Sequence, residues 1–184
     1  NRILGAISSA NAVLVRSRTQ SELLAGFCRA LAEPTQHRLV WIGLRQADGP
    51  EVQVAAGAGP AQSYLDTIQV RCDDSPLGQG PAGLAIRTGK PQLCRDFQTE
   101  ERMSPWRKPA AQHGIRSVLA LPLKSDASIF GALMVCSDDP RSFDEEEVRM
   151  LEEVAADLAY GLKSLRQREE LLRTSEELGQ SQMR

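Results

Sequence analysis

A chain of 184 residues with a 41% hydrophobic fraction can bury the core of one ordinary domain and carry a helical extension. Its 22 Lys and Arg nearly balance 24 Asp and Glu, so no single-sign field exists to hold nucleic acid or a membrane surface. No apolar run approaches the ~20 residues of a membrane-spanning helix, the first residues do not read as a signal peptide, and the four cysteines stand singly, which fits a reducing, cytoplasmic setting.

In chain order, NRILGAISSANAVLVRS sets Ile3, Ile7, Ala10 and Leu14 at the spacing of a two-helix seam, and Leu23, Leu24, Phe27 and Leu31 begin a second apolar stripe. Helix is therefore expected to residue 33, where Pro34 ends it. RLVWIGLR and EVQVAAGA are short, apolar and β-branched, and Asp48-Gly49-Pro50 between them is turn chemistry, so they form an antiparallel hairpin. AQSYLDTIQV reads as a helical turn running into a strand near Ile68 to Cys72.

Leu84 to Ile86 belong to a short helix closed by Thr88-Gly89, with Pro91 just beyond. PQLCRDF is a short strand, and EERMSPWRKPAAQHG, broken by prolines, is loop and short helix. RSVLALPLK and SIFGALMVCS make a second hairpin turning at Ser125-Asp126-Ala127, apolar enough on both sides to need helices over the sheet.

Asp144 and Glu147 stand at capping-box spacing. Val148, Leu151, Ala155, Leu158, Leu162 and Leu165 then continue one stripe, which dilutes to Glu169, Leu172 and Glu176 while Leu171 and Leu178 open a second register, as in a coiled coil with a register shift. Because Asn1 and Met183-Arg184 both lie inside helical patterns, the sequence is expected to be a piece of a longer protein. Helices, hairpin, mixed segment, hairpin and long helix together give an α+β class, an antiparallel sheet with segregated helices.

Gly78, Gly80 and Gly83 in LGQGPAGLAIRTGKP have the G-x-G-x-x-G spacing of a pyrophosphate cradle. Asp73 and Asp74 just before it would repel phosphate, Pro81 removes a donor and Lys90 lies beyond the helix, so a tight loop and helix start is the expected role.

SPLGQGPAGLAIRTGKPQLCRD, RSVLALPLKSDASIFGALMVCS and SFDEEEVRMLEEVAADLAYGL, in that order, resemble the signature blocks of the GAF domain, a small-molecule sensor module of bacterial signalling proteins. The resemblance implies a six-stranded or similar antiparallel sheet, helices bundled on one face and a ligand pocket on the other. It divides the chain into a dimerisation helix over 1–18, the sensor domain over 19–163 and a coiled-coil linker over 164–184, leading to a neighbour such as a PAS, diguanylate cyclase or histidine kinase domain. On this reading the chain is a non-catalytic sensor in two-component or cyclic-di-GMP signalling, homodimeric through helices at both ends, with Ile3, Ile7, Leu14, Leu151, Leu158, Leu162 and Leu165 in the seam.

Trp41, Leu77, Cys94, Asp96, Phe97, Trp106, His113 and Arg116 are the ligand-binding candidates. They combine scarce aromatic rings with the polar groups expected around a concave site. The ligand is not named by the sequence. Gln112 before His113 excludes the cysteine–histidine pair of bilin-binding relatives, and a lone histidine does not make a haem site. Cyclic-nucleotide-binding members carry an Asn-Lys pair ahead of Phe143, where this chain has CSDDPRS. No cysteine pair at metal-ligand spacing and no catalytic motif occurs, so neither a metal nor a catalytic set is expected. The alternatives are a dimerisation spacer without a ligand and a redox enzyme of the free methionine sulfoxide reductase type, for which Cys94 beside Arg95 would be the reactive thiol.

Overall fold

The computed structural model describes residues 2–126 and 128–182, with no side chains described beyond residue 179. Helices α1 (Arg2–Arg16) and α2 (Gln20–Thr35) precede the hairpin of β1 (Leu39–Arg45) and β2 (Val52–Ala58). A single-turn helix over Gln62–Asp66 and a loop lead to α3 (Pro81–Thr88) and β3 (Gln92–Cys94). Then follow α4 (Ser104–Gln112), the hairpin of β4 (Ser117–Ser125) and β5 (Ser128–Ser137), and α5 (Glu145–Gln182). The strands form one five-stranded sheet in the order β2-β1-β5-β4-β3, antiparallel throughout.

Strand alternation splits the core into two layers. Val40, Ile42, Leu119, Leu121, Leu133 and Val135 face α1, α2 and α5, whereas Trp41, Val118, Ala120, Met134 and Cys136 face α3, α4 and the loops. The helix layer is capped at two starts, of which the sequence predicts the one at Asp144. Thr19 Oγ1 accepts from the Glu22 N–H at 3.2 Å, and Asp144 Oδ1 accepts from the Glu147 N–H at 2.8 Å.

The structure changes several expectations. Ile3, Leu151, Leu158, Leu162 and Leu165 are buried inside the chain's own helix–sheet core, with Ile7 and Leu14 packed against it. The 3-4 periodicity thus records an amphipathic face that packs on its own sheet, and in this conformation these side chains are not a surface for a second copy. Pro34 does not end α2 at residue 33, because in the last turn it removes only one hydrogen bond. The helix runs to Thr35 and stops at Gln36, which is left-handed at φ 59°. Near Ile68 to Cys72 there is no strand, only an isolated bridge between Glu51 and Arg71. The turn at Ser125-Asp126-Ala127 and the chain end at Met183-Arg184 include residues outside those described.

Beyond Arg166 and Glu169, which hydrogen-bond to Gln20, α5 leaves the domain, and Leu171, Leu172 and Leu178 are exposed. No helix among the described residues is long and apolar enough to cross a membrane.

Candidate ligand cavity

The sheet face away from the helix bundle carries an apolar cavity of about 30 Å³. Its floor is built by register. Trp41 on β1 lies opposite Met134 on β5, and Cys136 on β5 lies opposite Val118 on β4. Tyr64 stands at one side, the first turn of α3 (Gly80 to Ala82) at another, and Phe97, Met103 and Trp106 come from the segment between β3 and β4. The outer wall is Ile68 and Val70, half-buried on a segment one chain thick whose middle residue, Gln69, is exposed.

Trp106 closes the site. Its indole N–H donates to the Gln69 carbonyl at 3.0 Å, and its ring lies against Gly80, where an added Cβ would sit 2.7 Å from Cζ3. A Cβ on Gly78 would overlap the Asp73 carbonyl. The glycine spacing therefore serves close packing within the chain. The loop before it is locked by Asp73, which accepts from Arg71 at 2.7 Å and from the Ser75 hydroxyl at 2.5 Å. The Arg71 hydrogen bond, more than any other contact, holds the Asp73 carboxyl well below the usual carboxylate range, so a negative charge persists where a phosphate would have to lie.

The sequence candidates fall into two shells. Trp41, Phe97 and Trp106 line the void. Leu77 packs half-buried against the same core, and Cys94 is fully buried in it without reaching the void. Asp96 and Arg116 form a paired fork at 2.7 and 3.1 Å, and the guanidinium keeps the Asp96 carboxyl below its ordinary range. His113 lies behind Tyr64, its ring edge-on at 5.8 Å and its Nδ1 2.8 Å from the Pro109 carbonyl.

Sequence reasoning missed Tyr64, Ile68, Val70, Met103, Val118, Met134 and Cys136 as lining residues. For those on strands a signal existed: Val118, Met134 and Cys136 have the facing parity of Trp41 once the hairpins are paired.

The lining contains no Asp, Glu, Lys, Arg or His. An ionised carboxylate placed there would lose several kcal/mol of hydration without a counter-charge. The first turn of α3, which no side chain caps, could return at most ~2 kcal/mol. Burial drives the Cys136 thiol far above its ordinary pKa, and burial followed by the nearby Glu100 carboxylate pushes Cys94 up to about 12. Neither is a thiolate at neutral pH. Cys94 and Cys136 both pair with Val118, from opposite sides of β4, which puts two strand spacings, ~9–10 Å, between their backbones. A disulfide between them would need that gap below ~7 Å. Among the described residues no cluster of three or more His, Cys, Asp or Glu is placed to hold a metal.

One further set of contacts leads from the cavity to α5. Arg95, two residues before Phe97, donates to the carbonyls of Ser142 at 2.7 Å and Phe143 at 3.3 Å, immediately ahead of the Asp144 cap. The Phe97 N–H donates to the Arg116 carbonyl at 2.9 Å, and the Arg116 N–H to the Ser137 carbonyl at 2.8 Å. Ser137 and Ser142 share a 2.6 Å hydroxyl contact. Phe143 itself is buried at a left-handed φ of 71°, a costly backbone state for a bulky residue that its surroundings must enforce. His37 lies 5.7 Å from its ring. Burial lowers the His37 pKa to about 4, so it packs as a neutral ring at physiological pH.

An antiparallel sheet with a helix layer on one face and a small apolar cavity on the other defines an α+β fold. Residues 17–163 match the family model of the GAF domain, and the chain belongs to that family.

The fold resembles that of a free methionine-R-sulfoxide reductase from Neisseria meningitidis, solved with its substrate, with a TM-score of 0.73, 22% identity and 89% of each chain covered. The GAF domain of a phosphoenolpyruvate-protein phosphotransferase from Coxiella burnetii gives a TM-score of 0.73 at 16% identity, covering 91% of this chain and 96% of that one. The A. aeolicus Nlh2 GAF domain in an inactive state gives 0.68 at 14% identity, covering 88% and 96%. At these identities the likeness is one of fold. No curated protein matches the sequence.

Proposed function

We propose that this chain is a non-catalytic sensing domain in which a small molecule in the cavity alters the packing of α5, passing the change to a further domain of the same protein. The observation that carries the reading is Arg95, two residues from the lining Phe97, which donates to the carbonyls of Ser142 and Phe143 just ahead of α5. A shift of the Phe97 segment moves that guanidinium, and with it the peptide that holds Phe143 in its strained state.

A reductase reading has a structural neighbour in its favour, the N. meningitidis enzyme. Against it stand the buried, protonated thiols of Cys94 and Cys136 and the absence of any charged group on the lining to meet an amino acid's carboxylate and ammonium. A ligand-free spacer leaves the Arg95 bridge and the apolar cavity without a use.

The homodimer belongs to the same proposal but takes a different surface from the buried stripe. Leu171 and Leu178, seven residues apart on the projecting part of α5 and exposed at 74% and 60%, give it a new seam. A kinase, cyclase or PAS domain would attach at one of the helical ends. Four unpaired cysteines suit a cytoplasmic setting.

Arg95→Met tests the linkage. Loss of one exposed and one partly buried charge-assisted hydrogen bond is worth about 1 kcal/mol, so the Glu147 and Val148 amides should exchange about fivefold faster while the β4 and β5 amides keep their protection. Unchanged exchange at the start of α5 would remove Arg95 as the bridge.

A further inference from the structure

The chemistry of the cavity wall restricts what the cavity can hold. Trp41, Trp106 and Phe97 present rings, Met103 and Met134 present polarisable thioethers, and no ionisable carboxylate or cation reaches the lining. The Trp106 indole N–H is already spent on the Gln69 carbonyl. Around the wall Asp96 pairs with Arg116 and Glu100 with Arg102, and Arg107 donates to the carbonyls of Phe97 and Glu100.

Tyr64 is the exception. It lines the void, is only 4% exposed, and carries the one hydroxyl on the lining. Cys136 lines the same void. A phenol hydroxyl on such a wall can donate one hydrogen bond.

We propose that the cavity binds an uncharged, mainly apolar molecule of about one aromatic ring, which offers a single hydrogen-bond acceptor to Tyr64. The inference rests on the sensing role proposed above and narrows it. It sets the site apart from one for cyclic nucleotides, dicarboxylates or zwitterionic amino acids, each of which brings a charge that this wall cannot pair.

Size adds a condition. A void of about 30 Å³ is well short of the ~150 Å³ that holds benzene in an apolar protein cavity. Entry therefore displaces the outer wall. Residues 67–71 are tied at the Tyr64 end by the Thr67 N–H to the Tyr64 carbonyl, and at the other end by the Val52 N–H to the Val70 carbonyl. Between these ties the bond from Trp106 to Gln69 is the connection to the rest of the site. Breaking that one bond frees the segment and the indole together, so Trp106 acts as the latch of the wall.

The chain's two tryptophans both line the void, and their fluorescence reports its occupancy. Acetophenone, toluene and benzoate serve as matched probes: a neutral ring with an acceptor, a neutral ring without one, and an anion of similar size. The expected result at neutral pH is saturable change with acetophenone and toluene, and affinity for benzoate about 100-fold or more weaker than for acetophenone. Tyr64→Phe should weaken acetophenone about three- to tenfold and leave toluene unchanged.

Tighter binding of benzoate, cyclic GMP or free methionine sulfoxide than of acetophenone would overturn the ligand class and leave the sensing role standing. Failure of every probe to bind would overturn both. Equal weakening of toluene and acetophenone in Tyr64→Phe would remove Tyr64 as the donor. The comparison of probes on the wild-type protein needs no variant to fold.

Discussion

Leu158→Asp is expected to leave no folded domain at room temperature. Leu158 is 0% exposed in the layer where α5 packs on the sheet and on the first helices. Truncating such a leucine to alanine costs ~2–5 kcal/mol, and an unpaired carboxylate in its place adds a desolvation penalty of several kcal/mol more. The sum reaches the ~5–15 kcal/mol of a typical domain. Circular dichroism should show lost cooperative melting. Leu171→Asp is the matched control, because that side chain is exposed and its replacement should shift domain stability by less than ~0.5 kcal/mol. The contrast separates the two kinds of apolar position on α5. If Leu158→Asp melted like the wild type while Leu171→Asp unfolded, the intrachain assignment of the stripe would be wrong.

Trp106→Ala should produce the second largest effect, and one that a small molecule partly reverses. The indole fills the space between Gly80 and the outer wall and supplies the bond to Gln69. Removing it is worth ~3–5 kcal/mol, which for a domain of this size lowers Tm by about 10 °C. The residual cavity then becomes large enough for a ring, so saturating toluene should restore several degrees by mass action. An unchanged Tm would mean that Trp106 does not hold the wall, and a Tm that toluene does not raise would mean that the enlarged void is open to water.

Much of the architecture was legible because alternation and helical periodicity are local signals. The two hairpins, the short α3 and its αL glycine at Gly89, and the Asp144 cap could all be read from spacing and turn chemistry. The partner of each apolar face could not. Leu151, Leu158 and Leu162 have the same spacing whether they meet their own sheet or a second helix, and only the tertiary arrangement decides.

The site was half legible for a similar reason. Trp41, Phe97 and Trp106 stood out as scarce aromatics, but Met134 and Cys136 look like any buried strand residue until the register sets them beside Trp41 and Val118. Asp96, Arg116 and His113 were drawn in by their polarity. The structure gives each a partner of its own: Asp96 and Arg116 hold each other, and His113 backs Tyr64. In the sequence Arg95 is only the neighbour of Cys94, whereas its guanidinium reaches 47 and 48 residues along the chain to Ser142 and Phe143. No local pattern encodes that contact.

The most direct test is amide hydrogen exchange over residues 142–151 of the wild-type protein, with acetophenone added until the tryptophan fluorescence saturates. If the cavity is read by α5, exchange at Glu147 and Val148 changes by about fivefold or more on occupancy, and Arg95→Met suppresses the change. Saturated fluorescence with identical exchange at the start of α5 would show a cavity that binds without signalling, and would contradict the link between the two.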